Sequence, residues 1–214
     1  MPAKLHKLPY LERGRYLCNS INHIMNIPDI ISKRWSPRAF LPDPVPDEHL
    51  KWMLEAARLA PSSMNEQPWL FFVGRKGDDA WQNMYNSLVE FNQLWAINAP
   101  LLIMAAGRKT YTVKDIGHND AWAYDTGQAV AYLTLTAMHL GIYTHQMGGF
   151  DKSKAALNFQ LPPEAEPLVI IAAGYRGDAS VLPPSIAALE TGPKPRRSLD
   201  SIVFGEKYGK SFKF

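Results

Sequence analysis

Residues 56–69 read Ala-Ala-Arg-Leu-Ala-Pro-Ser-Ser-Met-Asn-Glu-Gln-Pro-Trp, and this stretch predicts a helix, an irregular loop and a strand in succession. Before Pro61, apolar residues recur at three- and four-residue spacing from residue 47 onward, which is typical of an amphipathic helix. Pro61 ends that helix, because the residue before a proline is pushed out of the α region. After Pro68, the run Trp-Leu-Phe-Phe-Val at 69–73 has the composition of a buried strand.

The side chains between the two prolines are almost all polar and uncharged. Ser62 and Ser63 offer hydroxyls, and Asn65 and Gln67 each offer amide donors together with a carbonyl acceptor. Such a set suits the edge of a flat ligand with alternating N–H and C=O groups, a pattern that the isoalloxazine ring of a flavin has. The same residues also suit a polar connection that satisfies only its own backbone, so the loop alone leaves both interpretations open.

A second polar element lies upstream, where residues 34–40 read Arg-Trp-Ser-Pro-Arg-Ala-Phe. Together with Lys33, it places three cations and a hydroxyl within six residues. A phosphomonoester carries a charge of about −1.5 to −2 at pH 7, and arginine meets it with a planar fork of donors. We interpret this element as a phosphate clamp; the alternative is a solvated charged turn.

The two elements together resemble the signature of the nitroreductase family of FMN-dependent oxidoreductases. In this chain the signature reads Arg-x-Ser-x-Arg-x-Phe followed by Ala-Pro-Ser-Ser-x-Asn-x-Gln-Pro-Trp, in the family's order and at a family-like separation. The similarity continues through Asp125-x-Gly127, Met147-Gly148-Gly149-Phe150 and Gly174-Tyr175 to the basic tail. It covers residues 28 to 209.

The resemblance implies where FMN binds. In the family, the positions of Arg34 and Ser36 bind the phosphate and ribityl chain, and that of Arg38 lies nearer the pyrimidine end of the ring. Backbone amides of the Met147-Gly148-Gly149 turn face flavin N5 and O4, and the basic tail returns to the phosphate. The predicted cofactor-binding residues are Arg34, Trp35, Ser36, Arg38, Pro61, Ser62, Ser63, Asn65, Gln67, Asn92, Gln146, Met147, Gly148, Gly149, Lys194 and Arg196. The chemistry belongs to the flavin, so no catalytic side chain and no metal is predicted.

Three details of this assignment stay open in the sequence. Asn92 falls where the family has an asparagine that reaches the ring, but it could instead cap a helix. Trp95 falls where some branches carry a lysine, and this departure puts in doubt any cationic contact from its helix. Residues 107–120 are expected to form a mobile loop at the mouth of the pocket.

The resemblance also implies the fold, an α+β, three-layer α-β-α arrangement with a central, mostly antiparallel sheet, a long central helix and a C-terminal arm exchanged in a homodimer. We predict an N-terminal extension at 1–26, an FMN-binding core at 27–175 and the arm at 176–214. The long helix is expected at 121–140, capped by Asp120 and ended by Gly141. Its small residues Ala123, Gly127 and Ala131 allow another backbone to approach closely, whereas Asp125 is expected to be a structural hydrogen-bonding group.

Length and composition agree with one globular domain. The 214 residues carry a net charge of +3, which is too small to indicate nucleic-acid binding. The longest apolar stretches are far too short to cross a bilayer, and the N-terminus lacks the apolar core of a signal peptide. A single cysteine, Cys18, excludes an intramolecular disulfide and fits a reducing cytoplasm.

The sequence thus predicts an oxidoreductase that passes electrons from NAD(P)H through flavin N5 to nitroaromatic, quinone or similar acceptors by a ping-pong mechanism. No Gly-x-Gly-x-x-Gly, P-loop, Gly-x-Ser-x-Gly or metal-ligand spacing occurs to favour another chemistry. Two alternatives remain: a non-catalytic flavin or small-ligand binding protein, and a relative with specialised chemistry such as reductive dehalogenation or flavin destruction.

Overall fold

The computed structural model describes residues 27–113 and 116–214, so the predicted extension 1–26 lies outside it. The strands are β1 (Trp69–Arg75), β2 (Leu101–Arg108), β3 (Tyr143–Met147) and β4 (Ala165–Gly174). The helices are α1 (Asp29–Ser32), α2 (Asp47–Arg58), α3 (Asp79–Ser87), α4 (Glu90–Ala96), α5 (Trp122–His139), α6 (Lys152–Asn158) and α7 (Pro184–Thr191). Short 3₁₀ turns occur at Ser63–Asn65, Ala179–Val181 and Leu199–Ser201.

The four strands form one sheet in the order β1-β2-β4-β3, and every neighbouring pair is antiparallel. Trp69 at the start of β1 lies opposite Gly107 at the end of β2, which in turn lies opposite Glu166 near the start of β4. Gly174 at the other end of β4 lies opposite Tyr143 at the start of β3. The entrance to β1 and the exit from β4 are therefore at opposite ends of the sheet.

Alternate residues of the central strands face two separate cores. On one face, Leu102 of β2 and Ile170 of β4 join side chains of α3, α4, α6 and α7. On the other face, Ile103 and Ile171 join side chains of α2 and α5. Since side chains alternate along a strand, a sheet that is apolar on both sides needs a helical layer on each. The α+β, three-layer α-β-α architecture is therefore confirmed.

The ends of α5 show one correct and one wrong prediction. Gly141, with φ +74°, follows the C-terminal residue Leu140 and supplies the left-handed turn that glycine tolerates best. The predicted N-cap is wrong: the side chain of Asp120 faces solvent beside His118. Instead, Asn119 is buried and its Oδ1 accepts a hydrogen bond from the backbone N–H of Ala121 at 3.0 Å.

One face of α5 is left uncovered within the chain. Ala129, Leu133 and Ala137 are fully buried against the sheet. On the other side, Tyr124 is 71% exposed, and a Cβ built at Gly127 would meet nothing within 4 Å. The residues of α5 are small or apolar on nearly all sides of the helix. The side that faces away from the sheet is therefore an uncovered apolar surface.

Residues 176–214 divide into two parts. Leu182 and Ile186 are buried in the core formed with α3, α4 and α6, so the beginning of this segment packs on the core of the same chain. From residue 193 onward, every residue except Val203 and Phe204 is exposed.

Candidate functional site

The predicted phosphate clamp is a cluster of cations around the indole of Trp35. The guanidinium of Arg34 donates to Ser36 Oγ at 2.9 Å. The ammonium of Lys194 lies 3.7 Å from the centre of the Trp35 ring, and the guanidinium carbon of Arg176 lies 5.6 Å from it. The structure therefore brings the tail residue Lys194 to the residue 34–38 segment.

A buried carboxylate stands beneath this cluster. Glu190 of α7 is 1% exposed. Its Oε1 accepts a hydrogen bond from Trp35 Nε1 at 3.1 Å, and its Oε2 accepts one from the backbone N–H of Arg38 at 2.9 Å. Arg176 forms an ion pair with it at 3.5 Å. Neither Glu190 nor Arg176 was predicted from the sequence, because no local pattern marks a lone acid near a helix end or an arginine after a strand.

Arg38 leads from the cluster to β3. Its guanidinium carbon lies 6.0 Å from the centre of the Trp95 ring, and Trp95 lies 4.5 Å from the ring of His145. His145 Nδ1 lies 2.9 Å from the carbonyl oxygen of Pro37. Burial lowers the pKa of His145 from 6.5 to about 4, a shift that the hydrogen bond to Pro37 opposes and the nearby Arg38 and Lys194 reinforce. The imidazole is therefore neutral at pH 7, so its Nδ1–H donates to Pro37.

Trp95, whose place in the site the sequence left open, is fully buried. Its indole Nε1 and the Nε of Arg38 are both buried without a hydrogen-bond partner among residues 27–113 and 116–214. The aromatic ring packs beneath Arg38 and supports it through its π face.

The turn after β3, residues 147–149, is the next group of predicted site residues. Asn92 of α4 donates from Nδ2 to the carbonyl oxygen of Gly149 at 3.0 Å, so it ties this turn to α4 and does not cap the helix. A Cβ built at Gly148 would meet nothing within 4 Å, which leaves its backbone open to a ligand. Gln146 is exposed and donates to Thr134, whereas Met147 is buried in the core.

The loop of neutral amides and hydroxyls, residues 61–67, is backbone-strained and held by its own contacts. Met64, Asn65 and Gln67 all have φ between 53° and 57°, a left-handed conformation that is uncommon for residues with a Cβ. Within the loop, Ser62 Oγ accepts from the backbone N–H of Gln67 at 3.0 Å, and Gln67 Nε2 donates to the carbonyl of Asn65 at 3.1 Å. Pro61 is exposed at its entrance.

Two buried carboxylates, Asp125 outside the loop and Glu66 within it, anchor the loop to the rest of the protein. Asp125 of α5 accepts from the backbone N–H of Ser63 at 2.9 Å, which confirms its structural role. Glu66 accepts from the backbone N–H and the hydroxyl of Thr112 and from the backbone N–H of Val113, at 2.6 to 3.1 Å. Glu66 was not predicted from the sequence, since a carboxylate in a polar loop normally faces solvent.

Residues 107–120 were expected to be a mobile loop, but residues 107 and 108 end β2 and the described part of residues 109–119 is held by hydrogen bonds. The backbone N–H of Tyr111 donates to Gly117, and that of Asn119 donates to Lys109, so the segment folds back on itself as a hairpin. The hydroxyl of Tyr111 lies 3.0 Å from Ser63 Oγ. With the Glu66 contacts, the hairpin and the amide loop form one unit.

The two groups of predicted site residues occupy opposite ends of the sheet. Phe40 bridges to Arg176 just beyond β4, whereas the amide loop enters β1 beside the start of β4. At about 3.4 Å per residue, the stretch from Glu166 to Gly174 spans about 27 Å. A single chain therefore does not bring residues 61–67 to the clamp.

Two further features complete the geometry. Arg196 is exposed, and its guanidinium donates to the carbonyls of Lys194 and Pro195, so in this structure it does not join the cluster. No helix in the described parts of the chain is long and apolar enough to cross a membrane, and no group of three or more potential metal ligands occurs there.

Comparisons with known proteins agree with the fold. The sequence profile of the Nitroreductase family matches residues 31–92 and 77–175. A crystal structure described as an oxidoreductase containing FMN is 32% identical, with a TM-score of 0.81 over 91% of this chain and all of that one. A nitroreductase family protein from Clostridium difficile 630 is 26% identical, with a TM-score of 0.66 over 86% of this chain and 99% of that one. The NADH dehydrogenase of Thermus thermophilus is 28% identical over 67% of this chain and 83% of its own length. The chain belongs to the Nitroreductase family.

Proposed function

We propose that the protein is an FMN-dependent oxidoreductase that takes electrons from NAD(P)H and passes them to a small acceptor such as a nitroaromatic or a quinone. The observation that carries this proposal is the cluster of Arg34, Arg38, Arg176 and Lys194 beside Trp35 and the buried carboxylate of Glu190, which forms an ion pair with Arg176 and accepts from the backbone N–H of Arg38. The family relationship supports it, since relatives include an FMN-containing oxidoreductase and an NADH dehydrogenase.

The cation cluster fits a terminal phosphate. Burial lowers the pKa of Lys194; the carboxylate of Glu190 opposes this shift, and Arg38, Arg176 and Arg34 add to it. An excess of positive charge of this kind favours binding of a dianion, and arginine and lysine supply charge-assisted donors to it. We assign Arg34, Ser36, Lys194 and Arg176 to the phosphate end.

The turn after β3 fits the ring. The backbone at Gly148 is open, and Gly149 lies so close to Asn92 and Val89 that a Cβ there would come within 3.0 and 3.1 Å of their side chains. Main-chain N–H groups at such glycines can approach a planar ring without steric hindrance. We assign Asn92, Gln146, Gly148 and Gly149 to the ring end, and Met147 to packing beneath it.

When bound, FMN would accept a hydride from NAD(P)H at N5 and deliver electrons to the acceptor, and the chain would supply binding, orientation and shielding from water. The neutral His145 and the buried Trp95 hold Arg38 in place, and Asn92 fixes the glycine turn. Since the described residues show no separate nicotinamide motif, donor and acceptor would use the same pocket in turn.

We further propose a homodimer in which the amide loop of a second copy completes each site. The support is geometric: residues 61–67 of one protomer lie at the far end of the sheet from its own clamp, and α5 leaves an apolar face uncovered. The exposed tail beyond residue 193 would then cover the partner, which agrees with the predicted arm.

Anaerobic reduction of the purified protein tests the function. We expect NADH or NADPH to bleach the bound flavin and an added nitroaromatic or quinone to restore its colour, with parallel lines in double-reciprocal plots. Mass spectrometry of the released cofactor should show FMN. A flavin that neither pyridine nucleotide reduces would instead make this a flavin-binding protein, and intersecting lines would contradict the shared pocket.

A further inference from the structure

We propose that Glu190 is the residue that positions the phosphate clamp, an inference that rests on the FMN site proposed above. Glu190 hydrogen-bonds both the side chain of Trp35 and the backbone of Arg38, from 155 and 152 residues away in sequence. The Trp35 ring in turn carries the Lys194 ammonium on its face. One carboxylate thus fixes the 34–38 segment and the start of the basic tail relative to each other.

Electrostatic attraction to the ligand cannot explain why Glu190 lies here, because its negative charge repels a phosphate. Its position is explained by the groups that it holds in place. A carboxylate beside a phosphate site repels the phosphate, and burying it at 1% exposure adds a desolvation cost. Its two oxygens are each used by a different N–H donor, and Arg176 balances the charge. This is the arrangement expected of a group that holds a loop in shape.

Glutamine cannot reproduce this arrangement. Its side chain has one carbonyl oxygen and one NH₂ group, so either the Trp35 indole N–H or the Arg38 backbone N–H would face a second donor in a buried place. The substitution also removes a negative charge from the cluster. The charge effect alone would tighten phosphate binding, whereas loss of the positioned clamp would weaken it, so the sign of the change separates the two roles.

The experiment compares FMN with riboflavin, which lacks only the phosphate. Protein stripped of flavin is titrated with each, and dissociation constants are measured by quenching of flavin fluorescence. For Glu190→Gln we expect FMN to bind about tenfold or more weakly, corresponding to about 1.4 kcal/mol, while riboflavin changes by less than about threefold. Glu55→Gln, which removes the same charge from exposed α2 on the other face of the sheet, should leave both unchanged.

Three results would overturn the inference. Unchanged or tighter FMN binding would show that Glu190 acts only as a charge. If FMN binding and riboflavin binding weakened equally, and the melting temperature fell, the role of Glu190 would be purely structural. If the unsubstituted protein bound neither flavin, the proposed function itself would fail. If the unsubstituted protein bound FMN but Glu190→Gln showed no selective loss of FMN binding, only the inference about Glu190 would be overturned.

Trp35→Phe provides a second test if Glu190→Gln does not fold. It removes one of the two donors to Glu190 and keeps an aromatic face for Lys194. We expect a smaller loss that is again selective for FMN. Where Glu190→Gln does fold, the double variant relieves the donor–donor contact, so its loss should be less than the sum of the two single losses; additive losses would contradict a shared hydrogen bond.

Discussion

His145 shows how a single residue of the site responds to its neighbours. Its imidazole lies between Trp95 and the Pro37 carbonyl, with the cations Arg38 and Lys194 nearby. Burial lowers its pKa to about 4, so the folded protein keeps the imidazole neutral at pH values where the unfolded chain would protonate it. Because the unfolded chain takes up this proton near pH 6.5, stability falls as the pH drops from about 6.5 towards about 4.

We predict from this that lowering the pH from 7 to 5 removes about 2 kcal/mol of stability through His145 alone. His145→Gln, whose amide can still donate to Pro37 and never titrates, should lose correspondingly less between the two pH values. Urea unfolding of both proteins at pH 7 and pH 5 measures the difference. An equal pH dependence in the two proteins would contradict the lowered pKa.

Lys194 and Arg196 should differ in their contributions although they are two residues apart. Lys194 lies against Trp35 in the cluster, whereas Arg196 donates to its own backbone and faces solvent. Lys194→Gln should therefore weaken FMN binding by about 1.5–3 kcal/mol, and Arg196→Gln by less. Calorimetric titration with FMN measures both. A larger effect at Arg196 would mean that the tail changes its course when the phosphate binds.

At the scale of elements, the amide loop and the hairpin at 109–119 stabilise each other. Three consecutive contacts of the Glu66 carboxylate join them, and the strained left-handed residues of the loop need such external support. Burial disfavours the charged form of Glu66, but its hydrogen bonds from Thr112 and Val113 outweigh this, so its pKa is lowered. The stabilisation that the Glu66 carboxylate provides is therefore fully present above the ordinary pKa of a carboxyl group. It is lost as the pH falls through the lowered pKa of Glu66.

Glu66→Gln is predicted to loosen this unit at neutral pH. The glutamine oxygen can keep the Thr112 contacts, but its NH₂ group would then face the N–H of Val113, at a cost of about 1–3 kcal/mol. Hydrogen exchange should accelerate at the amides of Thr112 and Val113. The amides of β2 and β4, which the hairpin does not protect, serve as the internal control, and exchange that rises equally throughout the sheet would contradict a local tie.

For the whole molecule, the open face of α5 makes Gly127 a test of the dimer. A side chain at Gly127 has free space within the chain. Replacing a glycine inside a helix also stabilises that helix by about 0.5–1 kcal/mol. Gly127→Leu should thus be tolerated by a single chain, so any loss must come from a second copy. We expect sedimentation to show weakened or abolished dimers together with loss of bound FMN.

Gly127→Ala is the matched control for that substitution, since it adds the same backbone constraint with a smaller side chain. It should disturb assembly less than leucine does. A dimer that persists in Gly127→Leu with FMN fully bound would place the interface elsewhere, and a monomer that keeps FMN tightly would remove the need for a second copy.

The sequence by itself determined most of the local structure. β1 begins at the Trp69 that follows Pro68, α2 ends before Pro61 and Gly141 ends the long helix, as predicted. These features depend on residues within one turn or one strand, where backbone sterics and side-chain periodicity act directly. The motif residues at 34–38 and 61–67 were identified for the same reason, because each group is contiguous in the chain.

Only the tertiary structure decided which residues act together. Glu190 and Trp35 meet across 155 positions, and Pro37 and His145 across 108, so no spacing in the sequence could reveal them. The sheet order likewise sends the clamp and the amide loop to opposite ends of β4, although the sequence places them about two dozen residues apart. Burial then fixes the charge of His145 and the roles of Glu66, Asp125 and Glu190, because the cost of an ionised or unpaired group depends on the surroundings that folding creates.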